Sequence, residues 1–456
     1  MLVRRHTVSA PRPAIGIPGV HLDRSIGPWS LGANAVNLTV GAGIFALPAV
    51  VAAILGPAAI LAYLICGVLI LLVLACFAEV GSQVTASGGA VAYVEAAFGP
   101  LAGFLTWVVF AIGFSVASDA AVANVLTDTL ATMVPELATG AARTLLLVAV
   151  FGGLAVVNIR GVRQGTRVSV ATTIAKLVPL LLIVALGTLA LHSRELRFTH
   201  WPSVSQLGAA ALVLFFAFGG AESALTPSGE IRDPARTVPR GILGAAGGVV
   251  LLYVALQLTA QGVLGSDLVG QADAPLVAVA DRLAGGAGRH VVLACTVVAV
   301  FGALAADMVG TPRAFLAVAE NGMLPRALAS LHPRFRTPWI SILTFAGLAL
   351  LVAVSGAFRP LAVLSSMALL LVYLGVCLAA LRLRYTRPRA PGAFRMPGGP
   401  IVALVASTTV IWLLAQSTRR ETIAMASLIV IALLYYRART SRVRSRPVAA
   451  ADVTQA

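Results

Sequence analysis

The chain has 456 residues, 59% of them hydrophobic and 11% charged, with a mean hydropathy of +0.94. That composition excludes an ordinary soluble domain and marks an all-α polytopic membrane protein. The formal charge of +16 is carried by arginines dispersed among many interhelical segments, which argues against a nucleic-acid surface.

Taken in order, the apolar stretches predict twelve membrane-crossing helices. They cover approximately 30–55, 57–81, 100–125, 143–159, 165–190, 207–229, 239–263, 290–318, 338–356, 359–381, 400–417 and 421–437, and 273–287 reads as a shorter helix outside the membrane. Residues 1–25 are polar and Pro-rich with no short apolar core, so no cleavable signal is expected. An even number of crossings puts both termini on one side. Segments on that side, the tails 1–29 and 438–456 included, hold 24 arginines against 8 on the other, so both termini are expected in the cytoplasm and the protein in the cell membrane. The lipid bilayer is its evident partner, with a modest attraction of the basic ends to anionic lipid. The four cysteines, Cys66, Cys76, Cys295 and Cys377, fall inside apolar spans and read as free thiols packed as small hydrophobes.

Two spans are interrupted. The first, SLGANAVNLTVGAGIFALPAVVAAIL at 30–55, carries Gly41, Ala42 and Gly43 at its centre; the sixth, at 207–229, carries Gly219 and Gly220. Small residues in a membrane helix ordinarily serve close helix approach. Corresponding breaks in two halves of a hydrophobic chain point instead to a transporter binding site, because unwound backbone at that depth is tolerated only where it lines a cavity.

Lys176 is the only lysine in the chain and sits near the middle of the fifth span. Arginine stays charged at any cellular pH, whereas lysine can release its proton when taken out of water. Two readings follow: a proton-coupling group, or a fixed tether holding span 5 to backbone carbonyls of span 1.

The sequence resembles the amino acid, polyamine and organocation superfamily of secondary transporters. The resemblance rests on GAGIF at 41–45, SGGAVAYVEAAFGPLAGF at 87–104, NIRGVR at 158–163 and FFAFGGAES at 215–223, followed by EIRDPARTVPRGI, AENGMLPRALASLHPRFRTPW at 319–339 and RPRAPGAFRMPGGP at 387–400. It implies a LeuT-type fold with a 5+5 inverted repeat: repeat one at about 30–190, repeat two at about 207–381, helices 1 and 6 broken, and two appended helices at about 400–437.

The resemblance also implies roles. A substrate α-carboxylate is expected on the amides of Ala42 and Gly43, and its α-ammonium on carbonyls of Thr39, Phe216 and Gly219. Helix-end physics agrees, since exposed amides suit an anion and unwound carbonyls a cation. Phe216 matches an aromatic gate position, with ordinary packing as the alternative, and Ser118 faces the pocket. Glu222 matches an acidic position that either relays protons or holds the unwound segment in shape. Lys176 aligns with the lysine that replaces a sodium ion in proton-coupled relatives, with Asn37 and Val40 carbonyls as its expected neighbours.

Asp307 and Asp119 are less usual. Asp307 either meets a cationic group of the substrate, as in arginine, lysine or a polyamine, or pairs internally with Lys176 or takes part in proton transfer. No Walker loop or HExxH motif is present, and the histidines lie in tails, loops or span ends, so neither cofactor, metal nor enzymatic chemistry is expected. The function implied is alternating-access transport of amino acids, by proton symport or by obligate exchange, in a monomer or homodimer. A non-transporting sensor is the reading from another class.

Overall fold

A computed structural model of the chain describes residues 25–84, 86–161, 166–198, 201–387 and 392–444. The tail expectations for 1–24 and 445–456, and those for Arg163, Arg389 and His200, lie outside these residues. Regular structure among the described residues is helical, apart from one isolated parallel bridge between Ile26 and Ile231.

Span 1 is two helices. α1 runs from Pro28 to Thr39 and α2 from Gly43 to Leu55, with Val40, Gly41 and Ala42 between them. Span 2 is α3, Ala59–Gly81, followed by a short helix absent from the sequence reading, α4, Ala90–Phe98. Span 3 is composite: α5 (Pro100–Val108) passes through π-helical turns at Val109–Val116 into α6 (Ala117–Ala131). Spans 4 and 5 are α7, Gly140–Ile159, and α8, Thr166–Leu189.

Span 6 departs most from a continuous helix. α9 covers Val204–Leu214, opened by a Ser203–Gln206 capping box, and the chain then continues only as 3₁₀ turns at Phe215–Phe218 and Ala221–Leu225 on either side of Gly219 and Gly220. α10 (Pro234–Leu264) is span 7. α11, Pro275–Glu320, is bent at Gly285 (φ 61°), which separates the short helix expected at 273–287 from span 8. α12 (Trp339–Ser355), α13 (Phe358–Thr386), α14 (Pro400–Leu414) and α15 (Arg419–Arg444) complete the chain. Proline opens α1, α5, α10, α11 and α14, where its missing amide would have no helical partner.

Nine helical segments among the described residues are long and apolar enough to cross a membrane, and α12 and α14 are shorter apolar helices. One of the nine, Gly43–Gly81, joins the second half of span 1 to span 2, so the helices accommodate the twelve expected crossings. The protein is a polytopic all-α membrane protein.

The two breaks meet. A Cβ added to Gly43 would lie 2.8 Å from Ala217 Cα and 3.1 Å from Phe216 Cδ1; one added to Gly220 would lie 2.5 Å from the Leu38 carbonyl oxygen. The backbones of spans 1 and 6 therefore touch where both are unwound. At the other end of α3, the buried Glu79 accepts from the Met396 amide (2.9 Å) and from Arg384 (3.4 Å), tying α13 and the segment before α14 to span 2.

Gly220 has φ 117°, a conformation that L side chains rarely adopt, in addition to its contact with Leu38. Gly220→Ala is expected to cost at least about 1–3 kcal/mol of stability from backbone strain alone, and to abolish uptake. Gly247→Ala in α10, where an added Cβ meets nothing within 4 Å, should leave both the thermal midpoint and uptake near wild type.

Candidate functional site

Between the breaks lies a cavity of about 310 Å³, near the lower end of the roughly 300–1,000 Å³ usual for small-ligand sites. Span 1 contributes Thr39, Gly41, Ala42 and Gly43; span 6 contributes Phe216, Gly219 and Gly220. Span 3 supplies Phe110, Phe114, Ser118, Asp119 and Val122, span 5 supplies Lys176, and span 8 supplies Asp307 and Thr311 among small residues. Every site residue expected from the sequence lines this cavity except Glu222, which follows the second break in the turn Ala221–Leu225.

At the first break, helix geometry ends at Thr39 and resumes at Gly43. Among the described residues the Ala42 and Gly43 amides have no hydrogen-bond acceptor, whereas Gly41 donates to the Thr39 carbonyl at 2.8 Å. The same Thr39 carbonyl accepts from the Tyr253 hydroxyl at 3.0 Å, and the Thr39 hydroxyl donates to Ala35 O at 2.8 Å. Both acceptor positions of Thr39 O are thus engaged, which differs from the expectation that it waits for a ligand ammonium. The reason is a tyrosine on span 7 whose reach no local sequence pattern reveals.

Lys176 is 2% exposed, and its Nζ donates to Asn37 O at 3.0 Å and Val40 O at 3.2 Å. These are the neighbours that the resemblance implies. Lys176 forms no ion pair with Asp307 or Asp119 among the described residues. A lone ammonium in the interior is here held by carbonyls that the break in span 1 has released from helical pairing.

At the second break, the Glu222 carboxyl group receives the Gly220 amide on both oxygens, at 3.1 and 3.0 Å, and the Tyr373 hydroxyl on Oε2 at 2.5 Å. Tyr373 is fixed by edge-on contacts with Phe77 and Phe215, at 5.5 and 5.8 Å between ring centres. The Gly219 carbonyl, between the two 3₁₀ turns, receives no donor among the described residues. Phe216 packs edge-on against Phe358 at 5.8 Å while lining the cavity.

On span 8, Asp307 Oδ1 accepts from Thr311 Oγ1 at 2.6 Å, and Thr311 Oγ1 lies 3.3 Å from Ser115 Oγ. Tyr253, Tyr373, Thr311 and the phenylalanines of span 3 were not identified from the sequence. A lone hydroxyl in an apolar span is the signal that would have singled out the tyrosines.

Residues 26–443 match the family described as amino acid permease. The chain belongs to this family, within the superfamily that its motifs resemble. The permease is 28% identical to the serine/threonine exchanger SteT of Bacillus subtilis, over 87% of this chain and 92% of that protein. It is 23% identical to a methylthioribose transporter of the same organism, covering 86% and 88% of the two chains, and 24% identical to its branched-chain amino acid permease BcaP, covering 84% and 85%.

If Glu222 shapes the second break, removing its carboxyl group strands the Gly220 amide and the Tyr373 hydroxyl together. Tyr373→Phe should lower stability by roughly 1–3 kcal/mol, and Glu222→Ala by more, as read by thermal unfolding in detergent. Equal losses in the two variants would separate Glu222 from the support of Gly220.

Proposed function

We propose that this permease is a secondary active transporter of amino acids across the cell membrane, working by alternating access with proton symport. The observation that carries the reading is the pair of opposed breaks around one cavity, with the Ala42 and Gly43 amides on one side and the Gly219 carbonyl on the other, none of them paired among the described residues. The amides take the α-carboxylate; Gly219 O and neighbouring carbonyls of span 6 take the α-ammonium. Phe216 covers the ligand, Ser118 completes the wall, and Thr39 fixes the form of the first break. Both termini face the cytoplasm, and repeats at about 30–190 and 207–381 move relative to one another with 400–437 appended.

In this reading the charged Lys176 ties span 5 to Asn37 and Val40, and loss of its proton loosens that tie, so the proton and the state of the first break are coupled. Glu222 serves by holding the second break, with proton relay as its other assignment. The second reading is obligate exchange, favoured by the two main-chain bonds of Lys176, which suit a permanent tether, and by the similarity to an exchanger.

Uptake of radiolabelled amino acids into proteoliposomes separates the two. An inward proton gradient is expected to stimulate wild-type uptake; Lys176→Ala should lose the stimulation while keeping counter-exchange. Wild-type uptake that ignores the gradient and needs internal amino acid would replace symport by exchange.

A further inference from the structure

Lys176 is not the only ionisable group on the cavity wall. Asp119 on span 3 is 3% exposed, lines the cavity, and its Oδ2 has no hydrogen-bond partner among the described residues. Asp307 on span 8 lines the same cavity, with Oδ1 bonded to Thr311. Neither forms an ion pair among the described residues, and the one cation on this wall directs its ammonium to main-chain carbonyls.

An unpartnered carboxyl group in a membrane interior is costly, and such groups pair or mark the path of an ion or substrate. A zwitterion held by its backbone groups brings no net charge to them. A substrate with a second positive charge does. Phe110 and Phe114 line the same wall, and an aromatic ring can attract an alkylammonium or guanidinium group over its face. The small residues Ala303, Ala306 and Gly310 on span 8 leave room along Asp307 for an extended chain.

Resting on the amino acid permease reading above, we propose that Asp119 and Asp307 form a subsite for the positively charged end of the substrate's side chain, so that the permease carries diamino or guanidino acids. The break amides read the α-carboxylate, and the two aspartates read the distal cation.

The test uses matched ligands: L-lysine, and L-norleucine, which keeps the chain but lacks the ε-ammonium. Binding to purified full-length protein and uptake into proteoliposomes are measured for wild type, Asp119→Asn and Asp307→Asn. Wild type should prefer lysine, and each variant should lose at least about tenfold in lysine affinity while holding norleucine affinity within about threefold. Retained norleucine binding shows that the variants are folded. Equal losses for both ligands, or wild-type preference for norleucine with no competition by lysine or arginine, would overturn the subsite while leaving the permease reading intact. Norleucine uptake driven by protons or sodium that disappears in either variant, without any lysine binding in wild type, would also overturn it, since the pair then holds a coupling ion. If wild type binds putrescine and no amino acid, the assignment of diamino or guanidino acids is overturned together with the α-carboxylate site at Ala42 and Gly43.

Discussion

Main-chain amides and carbonyls freed in the middle of a membrane span have no solvent to turn to, and the rest of the structure around spans 1 and 6 answers that constraint. The carbonyls of the first break are satisfied from other helices: Asn37 and Val40 by Lys176 on span 5, and Thr39 by Tyr253 on span 7. The amide of Gly220 is satisfied by Glu222, which Tyr373 on span 10 steadies in turn. Among the described residues the Ala42 and Gly43 amides and the Gly219 carbonyl are break groups that these contacts leave without a partner, and all three residues line the cavity. Unpaired amides suit an anionic group and an unpaired carbonyl a cationic one.

Direct contact between the breaks makes them one mechanical unit. Gly43 against Ala217, and Gly220 against the Leu38 carbonyl, allow an approach that a Cβ would forbid. Because the first break is also bound to spans 5 and 7, a change at Lys176 or Tyr253 reaches the neighbouring amides through main-chain atoms. A shift of one span past the other has to rearrange contacts already at van der Waals distance, which favours two discrete packings over a continuous series.

Much of this was legible in the sequence because the membrane imposes length and glycine marks unwinding. The spans, both breaks and the uniqueness of Lys176 follow from local pattern, and the carbonyls that Lys176 meets follow from resemblance. Long-range geometry was not legible. The second half of span 6 looks helical by composition, yet it folds as 3₁₀ turns because Gly220 takes φ 117° and Glu222 draws the chain back onto its amide. The engagement of Thr39 O depends on a tyrosine 214 residues away, and the grip of Glu79 on Met396 spans 317. Such contacts leave no periodic trace.

The π-helical turns of span 3 show why the cavity wall could not be read by periodicity. Phe110, Phe114, Ser118 and Val122 line the cavity at intervals of four residues. In an α-helix each such step overshoots a full turn by about 40°, so the column would swing away from the cavity by its last member. The wider turns at Val109–Val116 take up that excess before α6 begins. They therefore keep the phenylalanines, Ser118 and the neighbouring Asp119 on one wall. The helix changes its own pitch to deliver polar groups from its second half to the same space as aromatic groups from its first.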